Sequence, residues 1–254
     1  CNRTLKFDEL FRAGKELGQD YIATGHYVIV EHGEDGRYKL RKAVDLSKDQ
    51  SYVLYSLSQE QLSHTMFPLG SMHKSETRKI AEAHGFISAK RKESQDICFI
   101  PDGDYASFIE RYTGKKIASG NFVDMDGNIL GIHKGIIHYT VGQRKGLGLA
   151  LKHPMYVQYI DAQNNEVVLG SNEDLFKTEL TAHNFNWVSI ACPDAPFRAK
   201  ARIRYKHKEA PATITPISET EVKIVFDEPQ RAITKGQSVV VYDGDYVVGG
   251  GKIV

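Results

Sequence analysis

The sequence is poor in cysteine and has no long apolar run, and both absences limit what it can encode. Only three cysteines occur in 254 residues. An odd number gives no complete disulfide framework and favours a reducing compartment. No apolar run reaches the roughly 20 residues of a membrane-spanning helix, and the first residues lack the pattern of a signal peptide. We therefore expect a cytoplasmic protein with no membrane partner.

A strong net charge is also missing, because 33 basic and 32 acidic side chains leave a formal charge of only +1. Any affinity for nucleic acid must then come from local patches. The composition is 41% hydrophobic and 26% charged, which is typical of a folded protein and not of a disordered one. The length is sufficient for two domains, or for three small ones.

The cysteines are the first candidates for chemistry. Cys98 follows the basic run Lys90-Arg91-Lys92, whose positive field favours thiolate over thiol. Together with the distant Cys1, it suggests redox or sulfur chemistry, although buried structural thiols fit the spacing equally well. A Cys98 nucleophile with His26 as its base lacks a supporting signature. The clustered spacing of a zinc site is absent, and Cys192, without a basic neighbour, is expected to be inert.

The first part of the chain has the pattern of half a βαβ unit. An amphipathic helix over residues 5–17 precedes an apolar strand that ends at Thr24-Gly25-His26. Ligands in such sheets bind at the carboxyl ends of strands, although these residues alone favour a plain turn at Gly25 with His26 as a polar loop residue. Lys48-Asp49-Gln50 is expected to open a helix through residue 57, where phosphate is favoured. Composition alone favours a solvated first turn there, and Ser58 is expected to cap the next helix.

The amino-acid composition changes near Thr113, and the second part of the chain is rich in glycine and in predicted strands. Residues 138–148 end in the run Gly142-Gln143-Arg144-Lys145-Gly146-Leu147-Gly148. This run contains two cations, a glutamine and three glycines. Backbone and side chains there could both approach a phosphate chain. No Walker signature is present, and glycine-rich loops with a few charges are common.

Short strands separated by turn signals dominate the last part and predict a small barrel or sandwich that begins near Leu175. One strand is unusually basic, with cations at Lys200, Arg202, Arg204, Lys206 and Lys208. A period of two would place all five on one face, where they could follow a phosphate backbone beside Tyr205 and His207. The alternative is an edge strand protected by its charges; we favour contact with a polyanion.

Several short motifs also occur in a fixed order along the chain. They are Cys1-Asn2-Arg3 with Leu5-Lys6-Phe7, Ala23-Thr24-Gly25-His26-Tyr27, Lys48-Asp49-Gln50-Ser51-Tyr52, Cys98-Phe99-Ile100, the glycine-rich run from Gly142 to Gly148, Phe226-Asp227-Glu228-Pro229 and Gly236-Gln237-Ser238. This ordered set resembles the tRNA-specific 2-thiouridylase family over essentially the whole chain. The resemblance implies an ATP-dependent tRNA-uridine 2-sulfurtransferase that acts on the wobble uridine, U34.

In that family ATP adenylates the C2 oxygen of the uridine, and sulfur from a persulfide then displaces AMP. By resemblance, Cys98 carries the persulfide and Cys1 is its nucleophilic partner, so that a disulfide joins them. Gly25 matches an ATP contact, and the matching tRNA contacts are His26, Lys48, Asp49, Gln50, Arg204, Tyr205 and Gln237. The implied cofactor is ATP with Mg²⁺, without a permanently bound group or a metal site in the protein. The implied partners are tRNAs for Lys, Glu and Gln and a persulfide donor protein.

The resemblance completes the expected fold. It is an α/β fold, with a truncated adenine nucleotide alpha hydrolase-like, Rossmann-like domain (residues 1–112). A small β-rich central domain that contacts tRNA (113–174) and a C-terminal β-barrel (175–254) follow. The family's Ser-Gly-Gly-x-Asp-Ser loop would precede Cys1, so the chain as given is expected to be inactive. A non-catalytic tRNA-binding fragment and a thiol-dependent hydrolase or redox protein remain as alternatives.

Overall fold

A computed structural model describes residues 2–90, 100 and 103–254. Cys1 and Cys98, which are expected to carry the sulfur chemistry, lie outside the described residues. The chain forms two compact units, each assembled from separate stretches of sequence. The first comprises Cys1–Lys90, Thr178–Glu228 and Lys235–Val254, and the second comprises Arg91–Lys177 and Pro229–Thr234.

The described part of the chain contains helices and strands in alternation at first, and strands alone towards the end. The helices are a π-helical segment Asn2–Glu9, α1 Leu10–Glu16, α2 Gln59–Ser63, α3 Lys74–Ala83 and α4 Tyr105–Thr113, with 3₁₀ turns at Ser51–Val53, Ile87–Lys90, Ile136–His138 and Glu173–Leu175. The strands are β1 Ile22–Ala23, β2 Val28–His32, β3 Tyr38–Lys42, β4 Thr65–Met66, β5 Gly120–Val123, β6 Ile129–His133, β7 Tyr156–Asp161, β8 Glu166–Gly170, β9 Phe176–Trp187, β10 Phe197–Arg202, β11 Ala210–Ser218, β12 Glu221–Arg231, β13 Ser238–Asp243 and β14 Tyr246–Ile253.

The first unit begins with the expected α/β pattern. Strand β1 pairs with β4 in parallel, and α2, which leads into β4, begins with a capping box. The Ser58 hydroxyl accepts a hydrogen bond from the Gln61 backbone, and the Gln61 side chain accepts one from the Ser58 backbone, which satisfies two otherwise unpaired donors. The predicted Ser58 cap is therefore confirmed.

The last strands close into a six-stranded barrel in the order β13-β10-β11-β12-β9-β14, because β14 also pairs with β13. The hairpin of β2 and β3 extends this sheet through β14. Four consecutive residues of β13, Val239 to Tyr242, are fully buried. Val240 and Tyr242 pack against Tyr52 and Leu54, and the alternating residues face the other side of the strand. The expected barrel is confirmed, and residues from the first part of the chain cover its outer face.

The expected row of five cations on one strand face is wrong. Strand β10 ends at Arg202 and the chain turns over residues 203–206. The guanidinium of Arg202 donates hydrogen bonds to the carbonyls of Arg204 and Tyr205, which stabilise the turn. Only Lys200 and Arg202 of the five lie in the strand, while Arg204 belongs to the turn.

The second unit contains a four-stranded sheet in the order β6-β5-β8-β7, in which β5 and β8 are parallel. Its core contains Phe122, Tyr139, Leu147, Val157, Val167 and Leu169. His133 is fully buried beside this core; Gly135 N–H donates to its Nδ1, and its Nε2 therefore donates to the carbonyl of Asn165. The central part of the chain is thus β-rich, as expected.

Candidate nucleic-acid interface

Segment 48–55 follows β3 and contains the polar triplet that was expected to open a helix through residue 57. Only a single 3₁₀ turn, Ser51–Val53, forms, so the expected helix is wrong. Asp49 is 8% exposed, and its carboxylate accepts hydrogen bonds from Ala43 N (3.1 Å), Ser51 N (3.3 Å) and Ser51 Oγ (2.7 Å). These bonds fold the chain back towards β3 instead of continuing a helix. The Asp49 side chain therefore orders the segment from within.

Gln50 joins the segment to the chain beside His26. Tyr27 N donates to Gln50 Oε1, and Gln50 N donates to the Tyr27 carbonyl, each at 3.0 Å. This reciprocal pair fixes Gln50 against the residue next to His26. Three residues from distant motifs that are expected to contact tRNA, His26, Asp49 and Gln50, are thus connected by this reciprocal pair of hydrogen bonds and two peptide bonds.

His26 itself is buried between the rings of Phe7 and Phe67, with centroid distances of 5.8 and 6.3 Å. Its Nδ1 lies 2.9 Å from the Thr24 hydroxyl. Burial, with a contribution from the charge of Lys6, lowers the pKa of His26 to about 4. The imidazole is therefore neutral near pH 7, and at 6% exposure it acts through packing and its contact with Thr24 rather than through positive charge.

The turn after β10 lies against the same segment. Tyr205 Oη donates to the Asp49 carbonyl at 3.3 Å, and its ring centroid is 5.9 Å from that of Tyr52. The Arg202 guanidinium lies 5.5 Å from the Tyr52 ring and 5.6 Å from the Tyr205 ring, within the range of cation–π attraction. Tyr205 remains 41% exposed, so this contact leaves ring surface for a base.

The start of β13 also contacts segment 48–55. Tyr52 Oη donates to the Ser238 carbonyl at 2.7 Å, and Tyr55 Oη lies 3.0 Å from Ser238 Oγ. A Cβ on Gly250 would lie 2.6 Å from the Tyr55 ring, so the glycine run of β14 allows this approach. Gln237, next to Ser238, is exposed.

Segment 48–55 thus connects the chain beside His26, the turn with Arg204 and Tyr205, and the start of β13 beside Gln237. Gly25 lies next to His26, beyond the carboxyl end of β1, and is exposed.

The sequence alone assigns no role to Tyr55, and it includes Tyr52 only as part of a motif. The signal that could have found them is the spacing of two tyrosines, three apart, in an otherwise apolar turn. Cys1 and Cys98 lie outside the described residues, so no distance joins them to this surface.

The glycine-rich stretch of the second unit forms a groove of about 540 Å³, lined by residues 144 and 146–155, with Arg144, Lys152 and His153 as its basic side chains. Gln143 stabilises its start: its Oε1 accepts from Thr140 N and its Nε2 donates to the Lys145 carbonyl, each at 3.0 Å. The buried Leu147 anchors the loop in the core. Arg144 and Lys145 are both exposed.

Two absences hold for the part of the chain that the structure describes. There, no three His, Cys, Asp or Glu side chains are grouped so that they could hold a metal ion. None of the helices in that part of the chain has the length and apolar character to cross a membrane.

Comparison with known proteins identifies three consecutive domains. Residues 1–102 match the tRNA methyl transferase HUP domain, residues 106–171 the tRNA methyl transferase PRC-barrel domain, and residues 177–253 the aminomethyltransferase beta-barrel domain. The first of these supports the Rossmann-like fold that was expected for the first part of the chain.

Similar curated proteins are available from several bacteria. The tRNA-specific 2-thiouridylase MnmA of Clostridioides difficile (strain 630) is 53% identical over 254 residues, all of this chain and 70% of the relative. The proteins of the same description from Acetivibrio thermocellus and Lachnoclostridium phytofermentans are 53% and 50% identical, again over all of this chain and over 71% of each relative. On this identity and coverage, the chain belongs to the tRNA-specific 2-thiouridylase MnmA family.

Proposed function

We propose that this protein is a tRNA-uridine 2-sulfurtransferase, which uses ATP to replace the C2 oxygen of the wobble uridine U34 with sulfur. The observation that carries the proposal is the convergence on segment 48–55. The residues that resemblance assigns to tRNA contact come from four separate motifs. They are His26, Lys48, Asp49, Gln50, Arg204, Tyr205 and Gln237. Hydrogen bonds and ring contacts connect all four motifs in one unit.

The surface has the side chains that single-stranded RNA needs. Tyr205 exposes a ring for stacking, which contributes about 1–3 kcal/mol per base. Lys48 and Arg204 supply charge for phosphate oxygens, while the exposed Gln237 can donate and accept hydrogen bonds at a base edge. Asp49 takes part by ordering the segment, since its carboxylate is already used by backbone and Ser51 donors.

ATP would be held near Gly25, where the chain leaves a parallel strand. A Cβ on Gly25 would meet Leu69 at 3.7 Å, an ordinary contact, and the backbone there is not left-handed. The protein's own packing therefore does not require a glycine at this position, whereas close approach of a nucleotide would. ATP, with Mg²⁺, supplies the adenylate that makes the C2 oxygen a good leaving group.

Sulfur transfer then needs two thiols. The terminal sulfur of a persulfide on Cys98 attacks C2, and AMP departs. The Cys1 thiolate attacks the Cys98 sulfur, which breaks the S–S bond and leaves a thiocarbonyl on the base. Cys1 and Cys98 are then joined in a disulfide, which an external thiol reductant must reduce before the next turnover. A persulfide donor protein supplies the sulfur, and the substrates are tRNAs for Lys, Glu and Gln.

The catalytic part of the proposal is tested by Cys98→Ser in the full-length enzyme, with Cys192→Ser as the matched control. We expect Cys98→Ser to abolish 2-thiouridine, measured by mass spectrometry of digested tRNA, and Cys192→Ser to leave it unchanged. Normal thiolation by Cys98→Ser would refute the assignment of the sulfur carrier.

The binding part is tested separately by comparing two arginines of the barrel. Arg204 lies in the turn beside Tyr205, which contacts segment 48–55, whereas Arg198 lies within strand β10 and pairs with Asp227. We expect Arg204→Gln to weaken tRNA binding and to lower the salt slope by roughly 0.7–0.9, and Arg198→Gln to change neither. Equal effects of the two substitutions would show that the turn is not a specific contact. Binding that stays intact while thiolation is absent would instead favour a tRNA-binding protein without catalysis.

A further inference from the structure

Tyr52 contacts both barrel segments that carry proposed tRNA contacts, using opposite ends of one side chain. Its hydroxyl donates to the carbonyl of Ser238 at 2.7 Å, beside Gln237. Its ring lies 5.9 Å from the Tyr205 ring and 5.5 Å from the Arg202 guanidinium. One residue of segment 48–55 therefore holds two barrel segments that are more than thirty positions apart in sequence.

The contact with Arg202 extends to the turn itself. Nε of Arg202 donates to the Arg204 carbonyl at 3.3 Å, and Nη2 donates to the Tyr205 carbonyl. A guanidinium that donates to two carbonyls has its plane fixed, and the Tyr52 ring packs against that guanidinium. Movement of Tyr52 would therefore change the position of Arg204 and Tyr205 as well as that of Ser238.

Tyr52 is itself unavailable to RNA. It is 6% exposed, and burial raises its pKa to about 12, so the hydroxyl keeps the proton that it donates. Its effect on binding must pass through the groups that it holds. The hydroxyl of Tyr55, three residues later, is directed to the side chain of Ser238 and not to the turn, so it does not replace Tyr52 there.

We propose that Tyr52 is a positioning residue for tRNA binding, which sets the separation between Gln237 and the turn with Arg204 and Tyr205. The inference rests on the proposed function, because it concerns the same RNA surface. It predicts that a buried hydroxyl, out of reach of the RNA, contributes to the affinity for tRNA and is coupled to Gln237.

The experiment compares Tyr52→Phe with Tyr246→Phe in the full-length protein. Both substitutions remove a hydroxyl that donates a hydrogen bond of 2.7 Å, but Tyr246 donates to Glu31, away from segment 48–55. Affinity for tRNA transcript is measured at two salt concentrations, for each variant alone and combined with Gln237→Ala. Thermal unfolding is recorded for every protein, so that loss of fold can be separated from loss of affinity.

We expect Tyr52→Phe to weaken tRNA binding by about threefold to tenfold, the equivalent of one lost hydrogen bond. Gln237→Ala should then have a smaller effect in the Tyr52→Phe background than in the wild type, since its group is already displaced. Tyr246→Phe should leave affinity unchanged and combine additively with Gln237→Ala.

A lower unfolding temperature with wild-type affinity, or strict additivity of Tyr52→Phe with Gln237→Ala, would overturn the positioning role and leave the proposed function intact. Failure of the wild type to bind tRNA would overturn both. If Tyr52→Phe does not fold, Arg202→Lys tests the other contact. It keeps the charge but loses the planar guanidinium, so we expect weaker tRNA binding, and wild-type affinity would overturn the role.

Discussion

The hydroxyl of Tyr205 donates a hydrogen bond to the backbone carbonyl of Asp49 across 3.3 Å. The two residues are far apart in sequence and belong to different matched domains, residues 1–102 and 177–253. The contact places the turn after β10 directly on the segment that the Asp49 carboxylate orders. The turn and the segment therefore lie on one surface, which the ring contacts among Tyr52, Tyr205 and Arg202 also hold together.

Replacement of Asp49 tests whether this residue acts through structure. Asp49→Ala leaves the buried backbone donors of Ala43 and Ser51 without their acceptor. We expect the free energy of unfolding to fall by about 2–4 kcal/mol, measured by urea denaturation. Asp49→Asn keeps one acceptor oxygen and should cost less. Loss of tRNA affinity in Asp49→Asn with wild-type stability would point to direct contact with RNA instead.

The exposed ring of Tyr205 is expected to stack on a base. Tyr205→Ala should weaken tRNA binding by about 1–3 kcal/mol, whereas Tyr205→Phe, which keeps the ring and loses one long hydrogen bond, should bind nearly as well as the wild type. Tyr21→Ala, at an exposed tyrosine outside the interface, serves as the control in the same fluorescence titration. Equal weakening by Phe and Ala would show that the hydroxyl, not the ring, is what matters.

Acidification should destabilise the protein through His26. Its pKa is about 4 in the folded state, against an ordinary value of 6.5, so the unfolded state binds the proton more tightly. The stabilisation is fully present above pH 6.5 and is lost as the pH falls towards 4, by a total on the order of 2–3 kcal/mol. His26→Gln should flatten this part of the curve of unfolding free energy against pH. His84→Gln, at an exposed position on the same unit, is the matched control substitution. A wild-type slope of unfolding free energy against pH in His26→Gln would rule out His26 as the origin.

Two glycine substitutions separate a nucleotide contact from a packing requirement. Gly25→Ala should fold normally, because its Cβ would make only an ordinary contact with Leu69, yet ATP-dependent thiolation should fall by roughly tenfold. Gly70→Ala should fail to fold, since its Cβ would lie 1.8 Å from the Val28 carbonyl oxygen. Thermal unfolding and a thiolation assay on the full-length enzyme distinguish the two. Unchanged activity in Gly25→Ala would remove this residue from the ATP site.

Much of the barrel could be predicted because its signals are local. Short alternating strands and turn residues determine sheet structure within a few positions, and the Ser58 cap needs only a partner three residues away. The prediction of five cations on one strand face was wrong for a reason that periodicity cannot detect. Ile203 is buried and continues the alternation, while the backbone has already left the sheet at Arg202 because of hydrogen bonds within the turn.

The interface was only partly predictable, because its connections join distant parts of the chain. Resemblance supplied the residues, but nothing in the motif Lys48-Asp49-Gln50 indicates that the middle side chain points inward. That orientation depends on donors from Ala43 and Ser51 and on the contact of Ser51 Oγ with Tyr242 Oη at 3.2 Å. The roles of Tyr52 and Tyr55 likewise depend on a barrel strand far along the sequence.

The hairpin of β2 and β3 adds to the barrel sheet through β14, and Lys42 N donates to the Asp245 carbonyl at 2.9 Å. Main-chain hydrogen bonds therefore cross between the part that matches the HUP domain and the barrel, and separating them would expose strand edges to water. These two parts should melt together in a single calorimetric transition, although they match different domain families. In evolutionary terms, neither could be exchanged for a foreign domain without rebuilding the shared sheet.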